Sequence, residues 1–217
     1  PKLGLAVTFV DDPDDPQSWR DAVRPNTKAF FGETISNPKN DILDIEAIAA
    51  VAHDDGVPLI VDNTVATPFL LNPLKHGADT VIHSATKYIG GHGTAIAGVV
   101  IDGGTFDYGA HGDKIPGFPN AAESYPGLAP VDARLLAQGI ETLSLRVERH
   151  VQNAKAVAEW LEAREDVARV HWASLPSSPY KALADKYVPS GSGAIVTFEL
   201  PGGVDAGRRF IDALELH

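Results

Sequence analysis

The sequence contains no cysteine and no methionine in its 217 residues. Without cysteine there can be no disulfide, no thiolate metal site and no cysteine nucleophile, and the chain is compatible with the cytosol. Basic side chains are scarce: 18 Lys and Arg stand against 29 Asp and Glu, a formal net charge of -11. That balance excludes a surface that tracks nucleic-acid phosphates. No basic run exceeds a pair, so an anionic membrane finds no foothold. No apolar run approaches the ~20 residues of a membrane span, and nothing resembles a signal peptide. The missing methionine, a Pro1 that leads straight into an apolar segment, and a His217 directly after an amphipathic run predict a fragment or a gapped chain.

What is present is a globular composition. At 44% hydrophobic residues the chain can bury a sizeable core, enough for one large domain or one and a half. Residues 3–10 read as a short apolar strand. Asp11 to Pro16 then form a turn that caps a helix over 17–23; its acidic cluster is a capped loop by the preference of Asp and Pro for turns, rather than a metal site. Residues 27–32 are the next strand, and Ile42, Ile45, Ile48, Ala49 and Ala52 recur at helical spacing to give a crossover helix ending near Gly56. Strands follow at 59–61 and 80–83, with a short turn of helix at 74–77 between them. The apolar run 95–101 is expected beside the strand at 80–83.

This alternation predicts an α/β fold, a mostly parallel sheet with helices on both faces. Residues 102–130, rich in Gly, Pro and Asp, read as a long functional or interface loop. Leu143, Val147, Val151, Ala154, Val157, Ala158 and Leu161 mark one face of a long helix. Beyond it, a strand at 167–172, a helical segment at 180–187, a strand at 194–200 and a helix at 204–214 predict part of a smaller α+β unit. The expected division is 1–148 and 149–217.

Two strand exits carry the chemistry. Ligands of open α/β sheets lie outside the carboxyl ends of the strands. There the sequence places Asp62, in Val61-Asp62-Asn63-Thr64, and Lys87, in Ser84-Ala85-Thr86-Lys87-Tyr88. A lysine and an aspartate reaching one crevice are the minimum kit for pyridoxal phosphate: an amine for the Schiff base and an acid for the ring nitrogen. Ser84 and Thr86, two apart in an extended segment, can direct both hydroxyls to a phosphate. The glycines Gly90, Gly91 and Gly93 allow close backbone approach or positive φ. Plainer readings stand beside these. Ser84 to Lys87 can be an ordinary loop, Asp62 a helix cap, and Asn37, at a third strand exit before Pro38, a turn residue rather than a partner of the cofactor phenolate. His92 reads as a loop-structural histidine, and none of the eight histidines shows metal-ligand spacing.

Taken together, Glu33 to Pro38, Val61 to Thr64, Ser84 to Tyr88 and Gln138 to Leu143 with Arg149-His150 resemble, in order, the fold-type I pyridoxal-phosphate enzymes of cysteine and methionine metabolism. The likeness covers nearly the whole chain. It implies a large cofactor-binding domain over 1–148 and the start of the C-terminal small domain over 149–217. It also implies Lys87 as the Schiff-base lysine, Asp62 on the pyridinium nitrogen, Ser84 and Thr86 on the phosphate, Asn37 on the phenolate oxygen and Thr64 near the ring face. Gly90-Gly91-His92-Gly93-Thr94 and Leu143 to His150 are most similar to the branch that joins sulfide to O-acetylhomoserine, giving homocysteine and acetate. The resemblance then implies pyridoxal 5'-phosphate as cofactor, an amino-acid substrate and sulfide as partners, a cytoplasmic homotetramer built as a dimer of dimers, and no nucleic acid or membrane. The family's phosphate loop and ring-stacking tyrosine would precede Pro1, and its carboxylate-binding arginine would follow His217. Elimination from cystathionine or methionine, a nucleotide-binding doubly wound domain, and an inactive fragment are the competing readings.

Overall fold

The computed structural model describes residues 4–111 and 130–215. Its centre is a four-stranded sheet of β1 (Phe30–Glu33), β2 (Leu59–Asp62), β3 (Thr80–Ser84) and β4 (Gly98–Asp102), in that spatial order. The first three strands are parallel and β4 returns antiparallel beside β3, so the α/β class with a mostly parallel sheet holds. The register aligns Glu33 with Asp62 and Asp62 with Ile82, so the three parallel strands end in one row. Asn37, Asp62, Ser84 and Lys87, at or just past this row, open onto the same edge.

The sheet is unequal on its two faces. Leu59, Val61 and Val81 are buried, whereas Phe31 is 55% and Val100 72% exposed. The buried face meets α2 (Ile45–Asp54), whose Ile45, Ile48, Ala49, Val51 and Ala52 are all inside. Asp44 starts that helix by accepting from the Ala47 N–H, satisfying one of the free amides of the first turn. In the same way Asp15 accepts from the Gln17 N–H and starts α1 (Pro16–Ala22), so the acidic run 11–15 is indeed a capped loop. The connection from β2 to β3 uses α3 (Thr67–Leu70) and a 3-10 turn, Pro73–His76. Gly77 closes that turn at φ 96°, a left-handed conformation in which an L side chain is strained.

A second core lies against the first. Leu136 of α4 (Pro130–Glu141) and Leu143, Val147, Val151, Ala154 and Ala158 of α5 (Leu143–Glu162) enclose Ala85 and Ile89, together with Trp172 and Leu175. Beyond α5 come β5 (Arg169–His171) and β6 (Thr197–Glu199), an antiparallel pair, with α6 (Lys181–Tyr187) between them and α7 (Gly203–Asp212) last. Ala173, Ala184, Tyr187 and Val188 join the first core beside α2.

Three expectations are corrected. Residues 4–10 form no strand: Leu5, Val7 and Phe9 are 62%, 73% and 88% exposed, and no described strand pairs with them. Apolar alternation without a ladder partner does not make a strand. α4 was not foreseen, because among its described residues Leu136 is the only buried large apolar side chain and the Gly- and Pro-rich stretch before it hides its start. Val157 is 48% exposed, outside the buried stripe of α5. Most of the long loop expected over 102–130 lies outside the described residues.

At the amino ends of the strands, Asp79 holds three elements. Its Oδ2 accepts from the Leu59 N–H at 2.8 Å and lies 2.8 Å from His53 Nε2, with the side chain only 3% exposed. Removing the carboxylate strands a buried amide, which costs about 2 kcal/mol. Asp79→Ala should therefore lower the unfolding free energy by that amount and, at an unchanged m of about 2 kcal/mol/M, the urea midpoint by about 1 M; an unaltered midpoint rejects the assignment.

Candidate active site

A cavity of about 670 Å³ opens at the carboxyl ends of β1, β2 and β3, a volume within the range of small-molecule sites. Asn37, Asp62, Ser84 and Lys87, from three strand exits far apart in sequence, line it together, as do Arg146 and His150 of α5. Thr86 is not in the lining. Its hydroxyl accepts from the Ala97 N–H at 2.9 Å and donates to the Ala97 carbonyl at 3.2 Å, so a phosphate would have to take that donor from Ala97.

Asp62 is held on one side only. Its Oδ1 accepts from the Thr64 N–H at 2.9 Å and from the Thr64 hydroxyl at 2.5 Å. The same hydroxyl accepts from the Ser84 N–H at 2.8 Å, which joins the end of β2 to the end of β3. Thr64 lines the cavity with its hydroxyl proton committed to Asp62. Oδ2 of Asp62 and the Ser84 hydroxyl have no hydrogen-bond partner among the described residues. Beneath this chain, buried Asn63 accepts from the Thr34 hydroxyl and donates to the carbonyls of Thr67 and Leu71. Asn63 fixes the exit of β2 from below.

Lys87 stands on a hydrogen-bonded turn that begins where β3 stops. The Lys87 N–H donates to Ser84 O, the Gly90 N–H to Ala85 O and the Gly91 N–H to Lys87 O. Ala85 and Ile89 anchor this turn in the second core, while Lys87 is exposed to the cavity. Its ammonium has no partner among the described residues. Asn37 is exposed at the cavity edge, and its N–H donates to Glu33 Oε2 at 3.2 Å. His92 Nδ1 contacts Gly90 O at 2.7 Å, a loop-structural place as expected. Among the described residues no group of three or more His, Cys, Asp or Glu could hold a metal ion, and no helix is long and apolar enough to cross a membrane.

Two titrating groups are shifted here. Burial raises the Tyr88 phenol above its usual value, and the ring meets His150 edge-on at 6.0 Å. Burial also lowers His83 below 6.5, against the opposing pull of Asp62 and the Asn63 backbone. His83 Nδ1 is buried without a hydrogen bond, as suits a neutral ring.

A family model described as Cys/Met metabolism PLP-dependent enzyme matches residues 1–217. The chain belongs to the Cys/Met metabolism PLP-dependent enzyme family. The O-acetyl-L-homoserine sulfhydrylase of Corynebacterium glutamicum is 46% identical over 245 aligned residues, covering 100% of this chain and 56% of that protein. The enzyme of the same description from Leptospira meyeri is 42% identical, with 100% of this chain and 56% of that protein covered. The O-succinylhomoserine sulfhydrylase of Pseudomonas aeruginosa is 46% identical over 202 residues, 93% of this chain and 48% of that protein. The chain spans about half the length of the curated relatives it matches.

The residues present fit the cofactor that this PLP-dependent family uses. An amine, a carboxylate oxygen and a hydroxyl that have no hydrogen-bond partner among the described residues face one cavity, a donor set that suits a pyridine ring with an aldehyde and a phosphate. Sequence reasoning reached Asn37, Asp62, Ser84 and Lys87. It missed the engagement of Thr64 with Asp62, and it gave Arg146, inside the stretch Leu143 to His150, no place at the cavity.

Two outcomes follow. Thr64→Val keeps the shape but frees Asp62 to rotate, so pyridoxal phosphate affinity should fall about tenfold, the worth of about 1.4 kcal/mol, while Thr64→Ser retains most of it. Equal affinity in all three proteins, read by absorbance titration, rejects the bridge. For His83 the unfolded ring takes its proton near 6.5 and the folded ring only at lower pH, so below 6.5 the unfolded state binds more protons. Stability is then complete above that value and declines as pH falls; the thermal midpoint should drop between about pH 7 and pH 5, and drop less in His83→Gln.

Proposed function

We propose that the protein acts in a pyridoxal-phosphate-dependent γ-replacement: O-acetylhomoserine and sulfide give homocysteine and acetate. The observation that carries this is the convergence of the Lys87 amine and an Asp62 oxygen, both without a partner among the described residues, on one cavity in a chain matched along all 217 residues by the family model. The relatives' descriptions supply the substrate class.

In this reading Lys87 holds the cofactor covalently through its Nζ, and Asp62 Oδ2 keeps a proton on the ring nitrogen. Ser84 donates to the phosphate, joined by Thr86 if its hydroxyl turns from Ala97. Asn37 donates to the phenolate oxygen. When bound, the cofactor takes up the electron pair released when a bond at the substrate α-carbon breaks. Lys87, freed by the incoming amine, takes the proton from the α-carbon and then one from the β-carbon. Acetate leaves from the γ-carbon, sulfide adds there, and Lys87 returns both protons. The large-domain and small-domain division at 148/149 belongs to the same proposal, with α5 running through it. So do the cytoplasmic setting and the homotetramer, in keeping with large apolar side chains left exposed, such as Ile96 at 90%.

A second leaving group has specific support, because the Pseudomonas aeruginosa relative is described by O-succinylhomoserine at the same 46% identity. Product analysis separates the readings. With pyridoxal phosphate and sulfide, homocysteine should form from O-acetylhomoserine faster than from O-succinylhomoserine, and Lys87→Ala should reduce the rate by at least about 10²-fold. Keto-acid release without homocysteine would replace synthesis by elimination. No yellow adduct that borohydride fixes on Lys87 would sink the cofactor assignment.

A further inference from the structure

We infer that Arg146 is a positioning residue for Lys87: it clamps the turn that carries the lysine to the corner between α4 and α5. The inference rests on the reading of Lys87 as the cofactor-bearing amine. Arg146 lies in the first turns of α5, 59 positions from Lys87, yet it lines the same cavity. Its Nη1 donates to the carbonyl of Tyr88, the residue after Lys87, at 2.8 Å. Its Nη2 donates to the Gly139 carbonyl at 2.7 Å, and its Nε to the Thr142 hydroxyl at 3.0 Å. One planar guanidinium thus satisfies acceptors on the lysine turn, on α4 and between α4 and α5, a geometry that the single ammonium of lysine cannot copy.

The surrounding glycines are cut to this clamp. A side chain at Gly91 would meet the Arg146 guanidinium at 2.6 Å, and Gly91 takes φ 71°. A side chain at Gly139 would collide with the carbonyls of Ile89 and Gly90. The α4–α5 corner therefore sits directly on the backbone of the turn, and Arg146 ties the two together.

Tyr88 completes the attachment. Its carbonyl is taken by Arg146 and its ring by His150, one helical turn further along α5. With the Lys87 and Gly91 amides bonded within the turn, the path of the backbone at Lys87 is fixed from both sides. The side chain then starts from one defined Cα–Cβ direction toward the cavity.

Amide hydrogen exchange of the whole chain without cofactor tests this directly. In Arg146→Gln the amides of Gly90 and Gly91 should exchange at least about tenfold faster, because a hydrogen bond from a charged donor contributes on that scale. In Arg146→Lys they should also speed up, while the amides of α2 keep the parent rate in both variants. Unchanged rates at Gly90 and Gly91, parent rates in Arg146→Lys, or equal acceleration in α2 would each overturn the clamp. A second readout uses the loaded protein: the pH midpoint of the cofactor absorbance should shift in both variants, and an unshifted midpoint overturns a role in aiming Lys87. Failure of the functional reading shows separately, as absence of a borohydride-fixed adduct on Lys87 in the unsubstituted protein, and leaves the exchange rates to report on the clamp.

Discussion

The register between β2 and β3 is the constraint on which the site depends. Asn37, Asp62, Ser84 and Lys87 reach the cavity from strand exits, and a slip of one residue would turn side chains of the strands to the opposite face. The two strands are therefore fixed at both termini. Asp79 joins their starts, accepting from the Leu59 N–H while its own N–H donates to the Leu59 carbonyl at 2.9 Å. The Thr64 hydroxyl joins their ends, between Asp62 and the Ser84 N–H. Between these points Val61 pairs with Val81 in register. The burial of Leu59, Val61 and Val81 against α2 adds the apolar side of the same specification.

This arrangement explains which parts were legible in the sequence. Strand exits announce themselves by a change from apolar to polar residues, and at 62 and 84–87 the residue types already name a chemistry. α2 and α5 were legible because their buried side chains repeat at helical spacing over several turns. The partners of the site were not. Thr64 acts on Ser84, 20 positions away, and Arg146 on Tyr88, 58 positions away; the motifs containing them were legible, but contacts across such separations leave no local mark. The segment 4–10 shows the converse. Its pattern is locally correct, but pattern expresses a capacity for pairing and cannot supply the neighbouring strand.

The lysine turn stands where two cores meet. β3 brings Val81 into the core around α2, and a few residues later Ala85 and Ile89 enter the core of α4 and α5. Lys87 lies between these two buried anchors and is itself exposed to the cavity. A reactive amine on a loop needs such support, since positional error in a side chain is set by the backbone beneath it. Placing the turn over a second core gives rigidity without burying the lysine.

The glycine-rich stretch after Lys87 makes the same point from a different direction. Read from sequence, Gly90, Gly91 and Gly93 suit close approach of backbone to ligand. In the fold, two of the three serve the protein itself. A side chain at Gly90 would lie 2.9 Å from the Ala85 carbonyl, inside the turn, and one at Gly91 would displace Arg146. Gly93 alone has open space around it, with φ 65° as its only demand. Two of these glycines thus trade side-chain volume for contact between the lysine turn and the α4–α5 corner, so their chemistry is that of packing. The groups that reach the cavity from the strand exits are side chains, Asn37, Asp62, Ser84 and Lys87, and a thin turn lets Arg146 and His150 of α5 line it beside them.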